Sequence, residues 1–411
     1  MNPIYTYLGP DGPARLCAYS AEQGLRRFRL VADTRTYAAL GQRVESALRA
    51  AGWDIQTIVL TAAQVVADEA AITEILVRSD AEERVWLSVG TGTVTDLVRF
   101  TSHRTRAPFI AMATAPSMDG YLSAGAPLVI GRLKQTILAR PPQAVFADLP
   151  TLCAAPPAML AAGFGDMAGK VTSLADYELG YLLWDEPYDA SIAARMRAAW
   201  ERCLAARAEI GRATAEGVHV LMEGLLESGA CLAAVGHTRP GSGSEHHLSH
   251  FWEMRWLREG RTALLHGAKV GVATALIADQ YAALRAVPPS EVKGRLEHGP
   301  GLTRLEQAEQ IRAEYGASAS NLLADQEPML QLSPAQIQRI VELWPQVQTV
   351  AASVPSASDV RAWLTEVHAP ATPAELGLKP AEVADALALA HYFRPRFTVL
   401  KLNRLGLQPL P

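Results

Sequence analysis

Short apolar runs alternate with helix-like segments through the first third of the chain. Successive residues within each run are apolar, so a strand formed by the run would be apolar on both faces. The segments between the runs place apolar residues three and four positions apart. The runs predict strands at FRLVAD (28–33), IQTIVL (55–60), RVWLSVG (84–90), APFIAMAT (107–114) and AVFAD (144–148). Strands that are buried on both faces and joined by helices form parallel sheets. This part of the sequence therefore predicts an α/β domain with a Rossmann-like parallel sheet.

The pattern becomes almost entirely helical from about residue 151 onward. Apolar residues recur at three- and four-residue steps in segments 191–210, 216–228 and 268–286. Segment 379–393 starts with Pro380 in its first turn, a frequent helix opening. Because a single core rarely serves more than roughly 250–300 residues, we predict two domains, an α/β domain at 1–155 and an all-α domain at 156–411.

Composition and charge exclude several classes of partner. The 411 residues are 49% hydrophobic and 19% charged, which is ordinary for a globular enzyme. The net charge is −4 and no lysine- or arginine-rich run occurs, so we expect no nucleic-acid partner. No stretch of about 18 apolar residues occurs, so we expect no membrane span.

The cysteines and the N-terminus indicate a reducing compartment. The four cysteines lie far apart without C-x-x-C spacing, which favours free thiols over disulfides or a zinc knuckle. The first residues lack a basic segment followed by an apolar core, so they do not resemble a signal peptide. We therefore expect a cytoplasmic location.

A glycine-rich turn follows the third predicted strand in SVGTGTVTDLVRF. Gly90 and Gly92 stand between a strand and a helix, where small residues let backbone amides approach a pyrophosphate at the helix N-terminus. The sequence is not G-x-G-x-x-G, so the usual dinucleotide fingerprint is absent. The alternative is that these glycines serve only the geometry of the turn.

Two acidic residues near predicted strand ends also have two interpretations each. Asp33 ends the first predicted strand and can accept a hydrogen bond from a ribose hydroxyl or cap the following helix. Asp119 lies in TAPSMDGYLSAG, which follows the fourth predicted strand, and can accept from a substrate hydroxyl. The alternative for this loop is a capped polar turn without a ligand.

Histidines are concentrated in GSGSEHHLSH. His246 and His250 are four residues apart and would share one helix face, and His266 opens an apolar helix further on. Asp166 lies between glycines in GFGDMAGK, at the predicted start of a helical segment. An aspartate with two histidines suits a divalent metal, although each could be an ordinary polar residue, as we interpret His247. The H-E-x-x-H motif is absent.

These segments together resemble a known family. GTGTVTD, TAPSMDGYLS, GFGDMAGK, GSEHHLSH and LLHGAKVGV occur in an order and at spacings similar to the sn-glycerol-1-phosphate dehydrogenases. This family belongs to the iron-containing alcohol dehydrogenase and dehydroquinate synthase-like superfamily. The resemblance extends from about Phe28 to the tail YFRPRFTVLKLNRLGL, and TAPSMDG with GSEH points to the bacterial branch. It implies a dehydroquinate synthase-like fold.

The resemblance also implies roles for individual residues. Asp166, His246 and His266 match the metal ligands, and with His250 they are the expected catalytic residues. Asp119, Asp166 and His250 match substrate contacts. Asp33 is expected at the adenosine ribose, and the other cofactor contacts are expected at Gly92, Thr93, Val94, Thr95, Asp96, Thr114, Ala115, Pro116, Ser117 and Ser123.

A phosphorylated substrate needs basic partners, and the sequence offers two candidates. Lys170 and Arg239 are expected to contact the phosphate, although either could instead belong to an ion pair. The implied reaction is the interconversion of dihydroxyacetone phosphate and glycerol 1-phosphate with NAD or NADP and one divalent metal, zinc, nickel or iron. Asp33 favours NAD, because a 2′-phosphate would meet its carboxylate. A homo-oligomer, such as a homodimer, is also implied.

Three alternatives stay open at this point. The chain could be another polyol dehydrogenase of the superfamily, acting on an unphosphorylated substrate. It could be a cyclase of the dehydroquinate synthase type, although such cyclases carry extra lysines and arginines around the metal and the sequence offers few there. It could also be a binding protein without catalysis, but such a protein would be expected to lack a metal ligand.

Overall fold

The computed structural model describes residues 4–131, 133–299, 301–316 and 319–407. The chain forms two compact units, of which the first comprises Met1–Met167 with Glu201–Gly236 and the second comprises Ala168–Trp200 with His237–Pro411. The domain boundary after residue 155 stays a prediction.

The strands belong to a parallel sheet and a small hairpin. In chain order they are β1 Tyr5–Gly9, β2 Arg27–Asp33, β3 Asp54–Leu60, β4 Val85–Gly90, β5 Phe109–Ala113, β6 Gly125–Ile130, β7 Leu133–Leu138 and β8 Ala144–Asp148.

Helices account for most of the remaining described residues. In chain order they are α1 Gly12–Glu22, α2 Thr34–Thr36, α3 Gln42–Ala50, α4 Glu69–Arg78, α5 Gly92–Arg104, α6 Leu149–Cys153, α7 Pro157–Ala168, α8 Lys170–Trp184, α9 Ala190–Ala205, α10 Arg207–Gly211, α11 Ala215–Val235, α12 Ser244–Arg258, α13 His266–Arg285, α14 Pro289–His298, α15 Arg304–Tyr315, α16 Ala319–Gln326, α17 Pro334–Glu342, α18 Trp344–Ser353, α19 Ala357–Glu366, α20 Pro380–Leu389 and α21 Val399–Leu402.

The first unit is built on a six-stranded parallel sheet in the order β1-β8-β5-β4-β2-β3. Every residue of β4, β5 and β8 is buried, which explains why these strands are apolar on both faces. The five predicted strands and the α/β class with a parallel sheet are confirmed. Because β2, β4 and β5 are parallel neighbours, their carboxyl ends lie along one edge of the sheet.

Three elements of the first unit differ from the prediction. Strand β1 was not predicted; it is a short, half-exposed edge strand beside β8, so it lacks a continuous apolar run. The antiparallel hairpin of β6 and β7 was not predicted either. The helix-like pattern between the second and third predicted strands predicts a helix over 62–79, but α4 begins at Glu69, where the Asp68 side chain caps it by accepting from the Ala71 amide.

All regular elements in the described part of the second unit are helices, as predicted. Helix α13 is buried around most of its circumference and packs against α12, α18 and α19, so it is the central helix of this unit. Helix α12 carries the histidine cluster, and His266 is the first residue of α13. The packing of α12 on α13 therefore decides where these histidines lie.

One described helix, α11, has the length and apolar composition of a membrane-spanning segment. A second stretch qualifies only if α13 and α14 are taken together across their 109° bend. Half of the most apolar window of α11 is buried inside the protein, and buried core helices pass the same test, so this is weak evidence for a span.

Candidate functional site

Three side chains of the types that bind metals converge among the described residues. A carboxylate oxygen of Asp166 and one ring nitrogen each of His246 and His266 all lie within 4.8 Å of one another. Asp166 and His246 are buried, and His266 is partly buried. One carboxylate and two imidazoles are a common donor set for a catalytic divalent metal, which keeps a further position open for water or substrate. The donor set and its spacing fit such an ion.

His246 is oriented by the residue that precedes it. Its Nδ1 lies 2.7 Å from Oε1 of Glu245. An ionised carboxylate can only accept, so Nδ1 carries the hydrogen and Nε2 is left for a metal. Glu245 also accepts from the Thr172 hydroxyl and the Gly243 amide, each at 2.7 Å. Burial alone would raise the pKa of Glu245, but the hydrogen bonds, above all that from His246, bring this pKa below its ordinary value.

Glu245 is a functional candidate to which the sequence analysis assigned no role. A carboxylate that holds the outer nitrogen of a metal-binding histidine fixes the tautomer and the direction of the ring. The only sequence signal is a glutamate directly before the histidine. That signal is weak, because adjacent residues on a helix usually point in different directions.

Asp166 lies in the last turn of α7, and not at the start of a helix as predicted. The prediction failed because the glycines around Asp166 are helical, and the next helix starts only at Lys170. A Cβ at Gly163 would overlap the carbonyl oxygen of Pro116, so this glycine lets α7 lie directly against the 114–123 loop. In the same loop the Asp119 amide donates to Oδ2 of Asp166 at 3.0 Å. The loop and the candidate ligand therefore position one another.

His250 lies one turn after His246 and faces the same group. The His266 ring centroid lies 5.1 Å from that of His246 and 5.7 Å from that of His250. The His250 ring stacks on Phe393 at a centroid distance of 5.4 Å. Its Nδ1 lies 3.6 Å from Oε2 of Glu253, which is itself paired with Lys269 at 2.8 Å. The fold thus brings together the three predicted histidines.

His247 directly follows His246 on α12 and is fully buried. Its ring meets the edge of Phe393 at 6.3 Å, and neither ring nitrogen has a hydrogen-bond partner among the described residues. Burial lowers the pKa of His247 well below its ordinary value, and the positive charges of Arg396 and Arg394 add to this effect. The sequence suggested an ordinary polar residue with its hydrogen bonds satisfied, and within the described part of the chain His247 does not fit that expectation.

The remaining predicted substrate contacts have protein partners. The carboxylate of Asp119 accepts from the Ser228 hydroxyl at 2.8 Å. Lys170 is buried, and its ammonium donates to the Gly241 carbonyl at 3.1 Å. Arg239 donates to Oε2 of Glu186 at 2.9 Å. Contacts with a substrate stay predictions for all three residues.

The glycine-rich turn leads from β4 into α5 at the edge of the sheet. Thr91 precedes the helix, and the Thr95 amide donates to the Thr91 carbonyl as the first helical bond. The amides of Gly92, Thr93 and Val94 therefore have no acceptor within the helix. These amides and the helix N-terminus can receive an anionic pyrophosphate.

The segment 114–123 starts at the end of β5, next to the glycine-rich turn of β4. The Thr114 amide donates to the Gly90 carbonyl at 3.3 Å, and the Ser117 amide donates to the Ala115 carbonyl at 3.0 Å. The Ser123 hydroxyl accepts from the Gly125 amide at 2.9 Å. The predicted cofactor residues of the two segments therefore lie side by side.

A buried ion pair connects these two cofactor segments. Asp96 pairs with Arg99 on α5, and Arg99 also donates to the carbonyls of Gly120 at 2.6 Å and Gly125 at 3.0 Å. Burial raises the pKa of Asp96 to about 6, although the charges of Arg99 and Lys134 oppose this shift. Asp96 thus has a structural role beside its predicted role as a cofactor contact.

Asp33 caps the helix that follows β2. Its Oδ1 accepts from the amides of Arg35 and Thr36, both at 2.8 Å, and the Thr36 hydroxyl accepts from the Asp33 amide at 3.0 Å. This arrangement is a capping box. Both amides use Oδ1, so Oδ2 receives no hydrogen bond from the described residues and can accept from a ligand. The contact with a ribose stays a prediction.

Comparisons with known proteins give the family. The family model of iron-containing alcohol dehydrogenases matches residues 7–156. A glycerol-1-phosphate dehydrogenase (NAD(P)+) of Halalkalibacterium halodurans is 36% identical over 396 residues, covering 96% of this chain and 90% of that protein. The protein of the same name from Bacillus subtilis is 34% identical over 398 residues, covering 96% and 89%.

Solved structures agree at the level of the fold. A probable glycerol dehydrogenase from Sinorhizobium meliloti superposes with a TM-score of 0.63 at 17% identity, over 97% of this chain and 94% of that chain. A 1,3-propanediol oxidoreductase superposes with a TM-score of 0.64 at 14% identity, over 96% and 94%. The predicted fold is confirmed, and by its sequence relatives the chain belongs to the glycerol-1-phosphate dehydrogenase family.

Proposed function

We propose that the protein is an NAD(P)-dependent, metal-dependent oxidoreductase that interconverts dihydroxyacetone phosphate and sn-glycerol 1-phosphate. The observation that carries this proposal is the convergence of Asp166, His246 and His266 in a chain of this family. These three residues would hold one divalent ion. Zinc, nickel and iron are all compatible with one carboxylate and two imidazoles, and availability often decides among them.

When bound, the ion and the nicotinamide supply Lewis-acid polarisation of the C2 carbonyl and the hydride that reduces it. Glu245 holds the proton on Nδ1 of His246 and so keeps Nε2 directed at the centre. Asp166 is held by the Asp119 amide, which keeps its carboxylate directed there as well. Both contacts fix the donor atoms before a ligand arrives.

His250 is the proposed proton carrier for the C2 oxygen. It lies one turn from His246 and beside His266, and stacking on Phe393 holds its ring in place. Imidazole titrates near neutral pH, so it can both give and take a proton under working conditions. With Nδ1 near Glu253, Nε2 is the atom that would hand over the proton.

The dinucleotide would lie along the carboxyl ends of β2, β4 and β5. The first-turn amides of α5 would receive the pyrophosphate, and Asp33 would accept from the adenosine ribose through Oδ2, favouring NAD over NADP. The full set of proposed cofactor contacts is Asp33, Gly92, Thr93, Val94, Thr95, Asp96, Thr114, Ala115, Pro116, Ser117 and Ser123.

The proposed substrate contacts are Asp119, Asp166, His250 and Lys170.

We further propose a nucleotide-binding domain at 1–155 and a metal- and substrate-binding domain at 156–411. We also propose that the enzyme is a homo-oligomer and is located in the cytoplasm. The thiols of Cys203 and Cys231 are buried and form no disulfide among the described residues, which supports a reducing compartment.

The test is an assay of NADH oxidation with the metal-loaded protein and two substrates. We expect oxidation with dihydroxyacetone phosphate and little with dihydroxyacetone, because only the former carries the phosphate. Oxidation with both substrates at equal kcat/KM would indicate a polyol dehydrogenase instead. Release of inorganic phosphate from a sugar phosphate without net NADH oxidation would indicate a cyclase.

A further inference from the structure

The C-terminal segment brings basic side chains next to the histidine helix. Phe393 contacts two rings of α12, stacking on His250 at 5.4 Å and meeting His247 at 6.3 Å. The next residue is Arg394, whose Cζ lies 5.5 Å from the centroid of the Phe393 ring. Arg394 is therefore close to the group of histidines, which the sequence alone did not indicate.

The basic residues of this region differ in their partners. Arg396 is buried and donates to the Ser242 carbonyl and, at 2.6 Å, to the Thr238 hydroxyl. Arg239 is paired with Glu186, and the Lys170 ammonium donates to a backbone carbonyl. The Arg394 guanidinium has no hydrogen bond or ion pair with any described residue, and its cation–π contact with Phe393 leaves its donors unused.

Burial lowers the pKa of Arg394, and no described carboxylate opposes this effect. Glu186 and Glu245, whose charges act on the neighbouring Arg396, have other partners. Glu186 is engaged by Arg239 and by the Phe397 amide at 2.8 Å, and Glu245 is engaged by His246. Burial lowers the pKa of Arg396 to about 9, and the positive charge of Arg394 adds to this effect. A partly buried guanidinium without an acceptor is costly, and an anion would offset this cost.

We propose that Arg394 binds the phosphate group of the substrate, with a ring N–H of His247 as a second donor. The planar guanidinium can donate two parallel hydrogen bonds to phosphate oxygens. A neutral imidazole carries one N–H, and both nitrogens of His247 are without a partner among the described residues. Phe393 links Arg394 to His250, so the phosphate would lie next to the proposed proton carrier.

This assignment rests on the proposed function and adds to it a residue that selects phosphorylated substrates. Lys170 and Arg239, which the sequence suggested, already donate to Gly241 and Glu186. An unphosphorylated substrate would leave Arg394 without an acceptor, so binding energy would be lost with such a substrate.

The first test is calorimetric titration of the metal-loaded protein with inorganic phosphate. We expect Arg394→Met to weaken phosphate binding by roughly 10- to 100-fold, the value of a charge-assisted hydrogen bond. Arg394→Lys keeps the charge but not the paired donors, so it should weaken binding less. Arg312→Met, at an exposed arginine of α15, is the control and should bind like the wild type. Equal dissociation constants for the wild type and Arg394→Met would overturn the proposal.

The second test is steady-state kinetics with the same variants. Arg394→Met should raise the KM for dihydroxyacetone phosphate by a similar factor and so lower the ratio of kcat/KM for dihydroxyacetone phosphate to that for dihydroxyacetone. Arg394→Lys is the control for misfolding, because it retains a long basic side chain and should fold like the wild type. A wild type that does not act on dihydroxyacetone phosphate would overturn the proposed function, whereas an active Arg394→Met with unchanged KM would overturn only the role of Arg394.

Discussion

Oε1 of Glu245 lies 2.7 Å from Nδ1 of His246, one residue away on the same helix. Because this contact occupies Nδ1, Nε2 of His246 is the ring nitrogen left for the proposed metal. We predict that Glu245→Gln lowers the metal affinity by roughly 10- to 100-fold, the usual effect of losing a carboxylate behind a histidine ligand. Competition with a chelator of known affinity measures this change.

The matched control for this prediction is Glu259→Gln. Glu259 directly follows the same helix and is exposed, so its substitution should leave the metal affinity unchanged. Metal binding by Glu245→Gln at the wild-type affinity would show that Glu245 does not support His246.

Removing either of two proposed ligands should remove the metal. We predict that Asp166→Ala and His266→Ala each lose bound metal and nearly all NADH-dependent activity, because two ligands hold the ion much less tightly than three. Elemental analysis of the purified variants measures the metal. His298→Ala, at an exposed histidine of α14, should retain both metal and activity. Wild-type metal content in both ligand variants would refute the assignment.

Gly163 is expected to be intolerant of a side chain. A methyl group there would overlap the Pro116 carbonyl oxygen and push α7, with Asp166, away from the 114–123 loop. We predict that Gly163→Ala lowers the free energy of unfolding by roughly 1–3 kcal/mol or more. Gly294→Ala in α14 should instead raise it by up to about 1 kcal/mol, because nothing lies near its Cβ and alanine favours helices. Denaturant titration of both variants compares them, and equal stabilities would contradict the packing argument.

The two roles of Asp33 can be separated by Asp33→Ser. Serine also caps helices, so the fold should be preserved while the carboxylate is lost. We predict that the wild type prefers NADH and that the variant shifts the ratio of kcat/KM values toward NADPH by roughly ten-fold. The same substitution at another cap, Asp68→Ser on α4, should leave the ratio unchanged. A wild type that prefers NADPH would argue against a ribose contact of Asp33.

Lys401 should make the stability of the protein depend on pH. Its buried ammonium donates to Oε1 of Gln326 at 2.7 Å. Burial, reinforced by the charge of Arg404, lowers the pKa of Lys401 to about 7. In the unfolded chain this pKa returns to about 10.4, so between these values the unfolded state binds more protons. The free energy of unfolding should therefore rise as the pH increases from about 7 to about 10.

The comparison with Lys401→Met isolates this contribution. The wild type should gain stability relative to the variant by roughly 4 kcal/mol between about pH 7 and pH 10, because each unit of pKa shift corresponds to about 1.4 kcal/mol. Denaturant titrations at several pH values measure the difference. Lys293 is exposed, so the free energy of unfolding of Lys293→Met should differ from that of the wild type by an amount that does not vary with pH. A constant difference for Lys401 would show that its pKa is not lowered.

Much of the fold could be predicted from the sequence because the buried strands and helices each produce a characteristic local pattern of apolar residues. The strands β2, β4, β5 and β8 are buried along nearly their whole length, so their apolar runs are continuous. Helical spacing marked the second unit in the same way. Strand β1 and the hairpin of β6 and β7 escaped prediction because they are partly exposed and include polar residues, glycine or proline.

The sequence suggested the candidate metal ligands through their residue types and through the family resemblance. It did not predict how these residues are arranged. Glycines around Asp166 suggested the start of a helix, whereas Asp166 lies in the last turn of α7 and Gly163 packs directly against Pro116. The contact of Glu245 with His246 depends on the side-chain directions that Thr172 and Gly243 impose.

The sequence by itself determined the alternation of strands and helices, the all-helical second unit and the residue types of a metal site. Only the tertiary structure decided that Arg394 lies beside Phe393 and the histidines and that Lys170 and Arg239 already have partners. The physical reason is that periodicity reflects burial of neighbouring residues within one element. Contacts between distant segments depend on how whole helices pack, and no local pattern records that packing.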